Sequence, residues 1–188
     1  MNPDPQFLPQ TVTHLRSYTD RVTESIGLLT EAQCNWRPNP EVWSLGLILE
    51  HLITANRAYF PVLAEIGQGT YKMKFWTRIS PLSGVLGRSM IQNLGPNTGK
   101  KYTAPPAFRP RLSQVTADIV PRYREMHTEL IALLEALNPA ELSRLRIASP
   151  ASGFITYSLR DALRIVDVHE ARHLQQAERL QKHPDFPH

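Results

Sequence analysis

Cysteine is almost missing from this chain, which has Cys34 as its one thiol among 188 residues. A single cysteine cannot form an intramolecular disulfide, and it cannot supply the several sulfurs of a thiolate zinc site. This usage is typical of a reducing compartment, so we expect a cytoplasmic protein. Cys34 falls in a connector between predicted helices, where we expect it to pack and to have no chemical role.

Long apolar runs and blocks of like charge are also missing. No stretch reaches 18 uninterrupted apolar residues, and the first ten residues, MNPDPQFLPQ, do not resemble a secretion signal. Lysine and arginine exceed aspartate and glutamate by 21 to 17, but the excess is spread along the chain. Charge of this kind does not argue for nucleic acid. We therefore expect a small-molecule substrate, with no nucleic-acid partner and no membrane partner.

Apolar side chains recur at helical spacing along most of the chain, and a hydrophobic content of 41% is enough for one core. The pattern predicts a single all-α domain over residues 1–188, built as a four-helix bundle. Signals for helix ends, such as Ser44 before the second pattern and Asn138-Pro139 after the third, set the approximate bounds. The predicted helices span about residues 5–29, 44–66, 113–137 and 158–182.

The connections differ greatly in length. Thr30 is placed to cap a short turn in the first connection, and residues 139–157 read as a plain connector. The span 67–112 contains six glycines and five prolines, with room for one short helix near residues 83–93. A long crossover lets the third helix start again from the same end of the bundle as the second.

Two histidines fall on the core face of the fourth helix, where steps of three and four residues from Leu159 reach His169 and His173. Imidazoles four residues apart on a helix can reach one metal ion, although hydrogen-bonded core histidines show the same spacing. His51 lies beside the apolar face of the second helix, about 10 Å from its start at 1.5 Å per residue. His173 lies a similar distance from the end of its helix, so antiparallel helices would place all three rings at one level.

Three imidazoles leave at least one position on a metal for water or substrate, which is typical of catalytic zinc sites. Nitrogen ligands also suit nickel, copper, iron and cobalt. The sequence therefore predicts a divalent metal site at His51, His169 and His173, with the identity of the ion left open.

Residues 169–173, His-Glu-Ala-Arg-His, match the H-E-x-x-H motif of zinc metalloproteases. The match is misleading, because Gln176 and Arg179 stand where the extended motif needs glycine and a third histidine. Too few residues follow His173 to supply a glutamate ligand from another helix. Glu170 stays a candidate catalytic base or supporting carboxylate, although a solvated helix residue is the slightly favoured alternative.

These residues resemble one family. Trp43-Ser44 followed by Glu50-His51-Leu52 resembles the opening of the second helix in DinB-like (YfiT-like) metalloenzymes, and His169–His173 resembles the motif on their last helix. The resemblance covers about residues 6–182. It implies up-down-down-up topology, a zinc or nickel ion on the three histidines, and a homodimer.

Some relatives in this family join low-molecular-weight thiols to electrophiles, so the resemblance implies a metal-dependent thiol S-transferase. Basic residues on the long connection are candidates to attract an anionic thiol, although a solvated loop is the simpler explanation for each: Lys72, Lys74, Arg78, Lys100, Lys101, Arg109 and Arg111. A metal-dependent hydrolase and a non-catalytic metal-binding bundle remain alternatives.

Several further side chains are candidates to line the pocket, although plain packing is the more common role. They are Trp43, Tyr59, Trp76, Tyr157 and His127. We do not expect His127 or His14 to be metal ligands, because neither lies near the other histidines in the sequence.

Overall fold

The computed structural model describes residues 4–79, 83–96, 103–110 and 113–187. The fold is mostly helical, with one small antiparallel hairpin. In chain order the helices and strands are α1 Phe7–Ile26, α2 Glu31–Asn35, α3 Leu45–Arg57, α4 Phe60–Gly67, α5 Phe75–Ile79, α6 Ser83–Leu94, α7 Ile119–Glu135, β1 Arg146–Ser149, β2 Ser152–Ser158 and α8 Leu159–Gln181.

The four longest helical regions share one core. Helix α1 packs against α7 and α8, and α3 packs against the same two helices. Fully buried apolar side chains from all four meet there: Leu15, Ile48, Leu52, Leu130, Leu134, Leu163 and Val166. The predicted all-α class is confirmed in its broad form, and the up-down-down-up order of the helices stays a prediction. None of the helices in the described ranges combines the length and the apolar character needed to cross a bilayer.

Helix caps explain where several helices begin. The Ser44 side chain accepts a hydrogen bond from the Leu47 N–H at the start of α3, and the Ser158 side chain accepts one from Asp161 at the start of α8. Thr30 and Gln33 form a reciprocal capping box at α2. These caps confirm the predicted starts of the second and fourth helices and the short turn at Thr30.

The second predicted helix, 44–66, is divided into α3 and α4 by a turn at Ala58 and Tyr59. Pro61 explains the break, because its ring removes the N–H that would bond to the carbonyl of Arg57 and collides with that turn. At this turn the Tyr59 N–H donates a hydrogen bond to the main-chain carbonyl of Asn56, three residues earlier.

The third predicted helix, 113–137, begins six residues late, at Ile119. Here the side chain of Asn35 accepts from the Val115 N–H and donates to its carbonyl, both at 2.8 Å. One of these bonds occupies the Val115 carbonyl, which a helix that began at residue 113 would offer to the Ile119 N–H. The Ile119 N–H bonds to the Thr116 carbonyl instead. The short helix expected near 83–93 is present as α6.

The connector predicted for residues 139–157 contains the β1–β2 hairpin. Ile147 pairs with Tyr157 across the ladder, and both side chains are fully buried against the helices. The hairpin packs on α6 and α8, and the chain passes directly from β2 into α8. This arrangement fixes the start of the helix that carries two of the three histidines.

Candidate metal centre

The three predicted ligands lie together. Nε2 of His169 is 3.2 Å from Nε2 of His51 and 3.1 Å from Nε2 of His173. Within the described ranges, this is the one group of three or more histidine, cysteine or acidic side chains close enough to hold a metal ion. Helix α3 supplies His51, and α8 supplies the other two from successive turns of one face.

The outer nitrogens of two rings are bound to oxygen acceptors. Nδ1 of His51 lies 2.7 Å from the carbonyl oxygen of Phe108, and Nδ1 of His173 lies 3.1 Å from Oε1 of Gln176. The Phe108 carbonyl can only accept, so Nδ1 of His51 carries the proton, and in the neutral ring its inward-facing Nε2 is a bare lone pair. Nε2 of His173 also points inward, toward Nε2 of His169.

The neutral state of these rings is favoured by their surroundings. Burial lowers the pKa of His51, although the Phe108 carbonyl opposes that shift. Burial, together with the neighbouring His51, lowers the pKa of His173 to about 3. The pKa of His169 is lowered well below its usual value by burial, then by the two other rings and by Arg172. Near pH 7 the cluster therefore presents nitrogen lone pairs and no positive charge of its own.

The spacing fits a metal ion. Two nitrogens bound tetrahedrally at about 2.0–2.1 Å from one zinc ion lie roughly 3.3 Å apart. The two observed Nε2 separations, 3.2 and 3.1 Å, are close to that value. The Nδ1 contacts to oxygen are also the outer interactions that typically orient metal-binding imidazoles. The donor set and its support thus match a divalent ion.

The histidines open into a cavity of about 1080 Å³. Trp43 covers one side, with its ring centroid 4.9 Å from that of His51 and 6.2 Å from that of His173. Tyr59 also lines the cavity, and its hydroxyl lies 2.8 Å from that of Tyr157, which is buried behind it. The expected pocket role is thus observed for Trp43 and Tyr59, whereas Trp76 is half-exposed and does not line this cavity.

Glu170 occupies a separate, fully buried position. Its carboxylate accepts hydrogen bonds from Asn56 and from the Tyr123 hydroxyl, the latter at 2.7 Å, and lies 3.3 Å from Nε2 of His127. The solvated position favoured for Glu170 is therefore wrong. Its side chain is absent from the cavity lining, although Asn56 belongs to both the network and the cavity wall. A catalytic role for Glu170 stays a prediction.

The remaining histidines have other partners. His127 lies below the cavity wall, where its Nδ1 is 2.9 Å from the Thr19 hydroxyl. Nδ1 of His14 lies 3.0 Å from the buried carboxylate of Asp167 at the surface of α1. Both positions agree with their exclusion as ligands, and His127 does not line the pocket.

The residues that supply positive charge to the cavity are mostly not the ones predicted from the long connection. Of the seven basic residues proposed on the long connection, Arg109 lines the cavity, while Lys72, Lys74 and Arg78 do not. Lys100, Lys101 and Arg111 lie outside the described residues.

Sequence reasoning missed three other arginines in the cavity wall, Arg37, Arg172 and Arg179. A signal for two of them existed. His169, Arg172, His173, Gln176 and Arg179 follow one face of α8 at steps of three and four residues.

A comparison with known protein families matches residues 14–177 to the DinB superfamily. That stretch includes all three histidines, the core helices and the hairpin. Neither the curated proteins nor the solved structures give a significant match to the chain. The family match confirms the resemblance that the Trp43–Leu52 and His169–His173 segments carry.

Proposed function

Because this chain belongs to the DinB superfamily, we propose that it is a metal-dependent enzyme that binds one divalent ion through His51, His169 and His173. The observation that carries the proposal is that Nε2 of His51 and Nε2 of His173 both lie within 3.2 Å of Nε2 of His169, in three rings whose surroundings favour the neutral state. At this spacing the three nitrogens can coordinate one cation placed between them. Zinc and nickel are the ions we favour for a set of imidazole ligands.

Topology forms part of the same proposal. In the up-down-down-up order, α3 and α8 run antiparallel, and His51 then lies level with the pair on α8. The contacts of His51 with His169 and His173 support this arrangement. The homodimer implied by the family is also an expectation, and sedimentation velocity would check it.

The reaction we favour is the transfer of a low-molecular-weight thiol to an electrophile. A divalent ion bound to the cluster would supply Lewis acidity, which lowers the pKa of a thiol that reaches it. The thiol would release its proton to water in the cavity, and its sulfur would form a bond to an electrophilic carbon while the bond from that carbon to the leaving group breaks and the leaving group takes the electron pair. The cavity supports this two-substrate reaction, because about 1080 Å³ exceeds the volume that one small ligand usually needs.

The side chains around the cluster have separate tasks in this scheme. The Phe108 carbonyl and Gln176 hold the His51 and His173 rings so that Nε2 faces inward. Trp43 packs beside the His51 and His173 rings and, like the three histidines, lines the cavity. A substrate in the cavity can therefore reach the cluster.

Hydrolysis is the second candidate, with water as the nucleophile. Its support is the position of Glu170, which follows His169 directly and bonds to the cavity residue Asn56. This scheme requires the Glu170 carboxylate to exchange a proton with the cavity. Replacing Glu170 by glutamine would then abolish turnover with ester or amide substrates while leaving metal content unchanged.

The first test is metal content. Protein purified without added ions, analysed by mass spectrometry, is expected to carry about one transition metal per chain. His51→Ala and His169→Ala should lose it, whereas His14→Ala, which alters a histidine outside the cluster, should keep it. Retention of the ion by both cluster variants would refute the metal site.

The second test is turnover. The zinc-loaded and nickel-loaded chains are assayed with a thiol plus a chromogenic electrophile, and separately with ester and amide substrates. Thiol-dependent product that disappears in His51→Ala supports the transferase. Metal binding without any turnover would instead support the third alternative, a metal-binding bundle that is not an enzyme.

A further inference from the structure

Positive charge dominates the cavity wall. Among the residues that the structure describes, four arginines line it, Arg37, Arg109, Arg172 and Arg179, against one carboxylate, Glu41. They come from three separate parts of the chain: the connector after α2, the segment after a 3₁₀ turn at Pro106–Phe108, and α8. Regions so far apart in sequence deliver the same charge to one cavity, which is unexpected for arginines placed only for solubility.

Ion pairs with carboxylates are common among the arginines elsewhere in the fold. Six of the eleven described arginines outside the cavity each lie within 4 Å of an acidic side chain: Arg16, Arg21, Arg57, Arg122, Arg160 and Arg164. In the described part of the chain, no such ion pair is found for Arg37, Arg109 or Arg179. Their charge is therefore not neutralised by the protein itself.

Main-chain carbonyls orient three of the cavity guanidinium groups. Arg109 donates Nε–H to the Ala104 carbonyl at 2.9 Å, and Arg172 donates to the Gly95 carbonyl at 3.1 Å. Arg37 donates to the carbonyl of Pro40 at 3.3 Å. A carbonyl fixes the direction of a guanidinium without cancelling its charge. Each guanidinium has five N–H donors, so the single bonds of Arg37 and Arg109 leave most of their donors for another acceptor.

The arginines also bracket the histidine cluster. Arg109 directly follows Phe108, whose carbonyl binds His51, and Arg172 lies between the two histidines of α8. Arg179 lies six residues beyond His173, about 9 Å along the helix at 1.5 Å per residue, and lines the same cavity. A ligand that reaches the cluster with one end can place an acidic group against these arginines with the other.

We propose that the cavity is an oxyanion-binding site in which Arg109 and Arg179, with Arg37 and Arg172, hold a carboxylate or phosphate group of the substrate. Guanidinium groups form paired, charge-assisted hydrogen bonds with both kinds of oxyanion. A cavity lined by one sign of charge also attracts ligands of the opposite sign from solution. The inference rests on the proposed function in taking this cavity as the substrate site, and it adds the charge class of the substrate.

Matched pairs of thiols test the proposal by isothermal titration calorimetry on the zinc-loaded chain. The carboxylate pair is glutathione and its diethyl ester, and the phosphate pair is 4′-phosphopantetheine and pantetheine. At least one anionic probe should bind about tenfold more tightly than its esterified or dephosphorylated partner, as expected for one added charge-assisted contact. The pair that shows the preference identifies the oxyanion.

Substitutions of single arginines test whether the preference for the anionic probe arises in the cavity. Arg109→Gln and Arg179→Gln, both at exposed residues, should each remove most of the preference without changing affinity for the partner probe that lacks the oxyanion. Arg16→Gln is the control, because Arg16 lies outside the cavity and is paired with Glu135. The proposal is overturned if neither anionic probe is preferred, or if Arg16→Gln reduces the preference as much as the cavity variants.

The same titrations on the metal-free chain, with S-methylglutathione and its diester, separate this inference from the proposed function. A chain that binds no metal and turns over no substrate, yet still prefers the anionic probe, would refute the enzyme and keep the oxyanion site. A chain that binds metal but shows no preference would refute the oxyanion site alone.

Discussion

Replacing Tyr123 by phenylalanine tests the buried network that joins three helices beneath the cavity. Tyr123 on α7 donates its hydroxyl to Glu170 on α8 at 2.7 Å, and both side chains have 0% exposure. Burial and the nearby carboxylate raise the pKa of Tyr123 well above its usual value, so the hydroxyl keeps its proton and donates it. The substitution removes this donor and leaves a buried carboxylate with one partner fewer.

The expected cost follows from the charge of the acceptor. A hydrogen bond to a charged group contributes about 1.5–3 kcal/mol to stability, against about 0.5–1.5 kcal/mol for a neutral one. Tyr59→Phe is the matched control, because the Tyr59 hydroxyl lies 2.8 Å from the neutral hydroxyl of Tyr157. Tyr123→Phe should therefore lose roughly twice as much stability as Tyr59→Phe.

Urea unfolding of the metal-free chain, followed by circular dichroism and by tryptophan fluorescence, measures both costs. With a slope of about 2 kcal/mol per molar urea, Tyr123→Phe should lower the midpoint by roughly 0.7–1.5 M. Agreement between the two probes would support a two-state analysis.

A double-mutant cycle isolates the charge. In a Glu170→Gln background the cost of Tyr123→Phe should fall to the neutral range, since the acceptor is no longer a carboxylate. The reasoning fails if Tyr123→Phe costs no more than Tyr59→Phe, or if its cost is the same in both backgrounds.

Two further predictions concern acid sensitivity and close packing. The pKa of His173 is about 3 in the folded chain and about 6.5 when unfolded, so between these values the unfolded state binds more protons. The metal-free chain should therefore lose stability as pH falls below about 6.5, which thermal melts across pH 4–8 would detect, and a flat profile would contradict the shift. Gly46→Ala should destabilise by about 1–3 kcal/mol, because a Cβ at that position would lie 2.0 Å from the Val115 side chain. Gly84→Ala is its control, since Gly84 is also the second residue of a helix and its Cβ would meet nothing closer than 4.0 Å; equal costs in urea unfolding would contradict the packing argument.

Helix caps and apolar periodicity, which are local features of the sequence, predicted the helix bounds well where no distant contact intervened. The cap at Ser158 and the apolar face that follows predicted the fourth helix as 158–182, within a residue of the observed Leu159–Gln181 at each end. The same periodicity placed His169 and His173 on one face. The break at Pro61 was also readable from the sequence, because proline cannot continue a helix, but the apolar pattern on either side of it concealed the break.

Other errors came from contacts between distant residues. The late start of α7 depends on Asn35, which lies 80 residues before Val115. The burial of Glu170 also depends on distant residues, Asn56 and Tyr123, which bind its carboxylate. Helix α8 packs against α1, α3, α6 and the hairpin, so several of its faces are covered and a polar residue there needs internal partners. Periodicity assumes one buried face and cannot show that a helix is surrounded.

The sequence by itself determined the mostly helical class, the family and the three histidines, because each depends on local spacing or on a short motif. Tertiary structure decided how those histidines are used. The Phe108 carbonyl that orients His51 is a main-chain group, which any residue offers, and only folding places it there. The same holds for the cavity charge, since Arg37, Arg109 and Arg179 share no local pattern and meet only when the connectors close over α8.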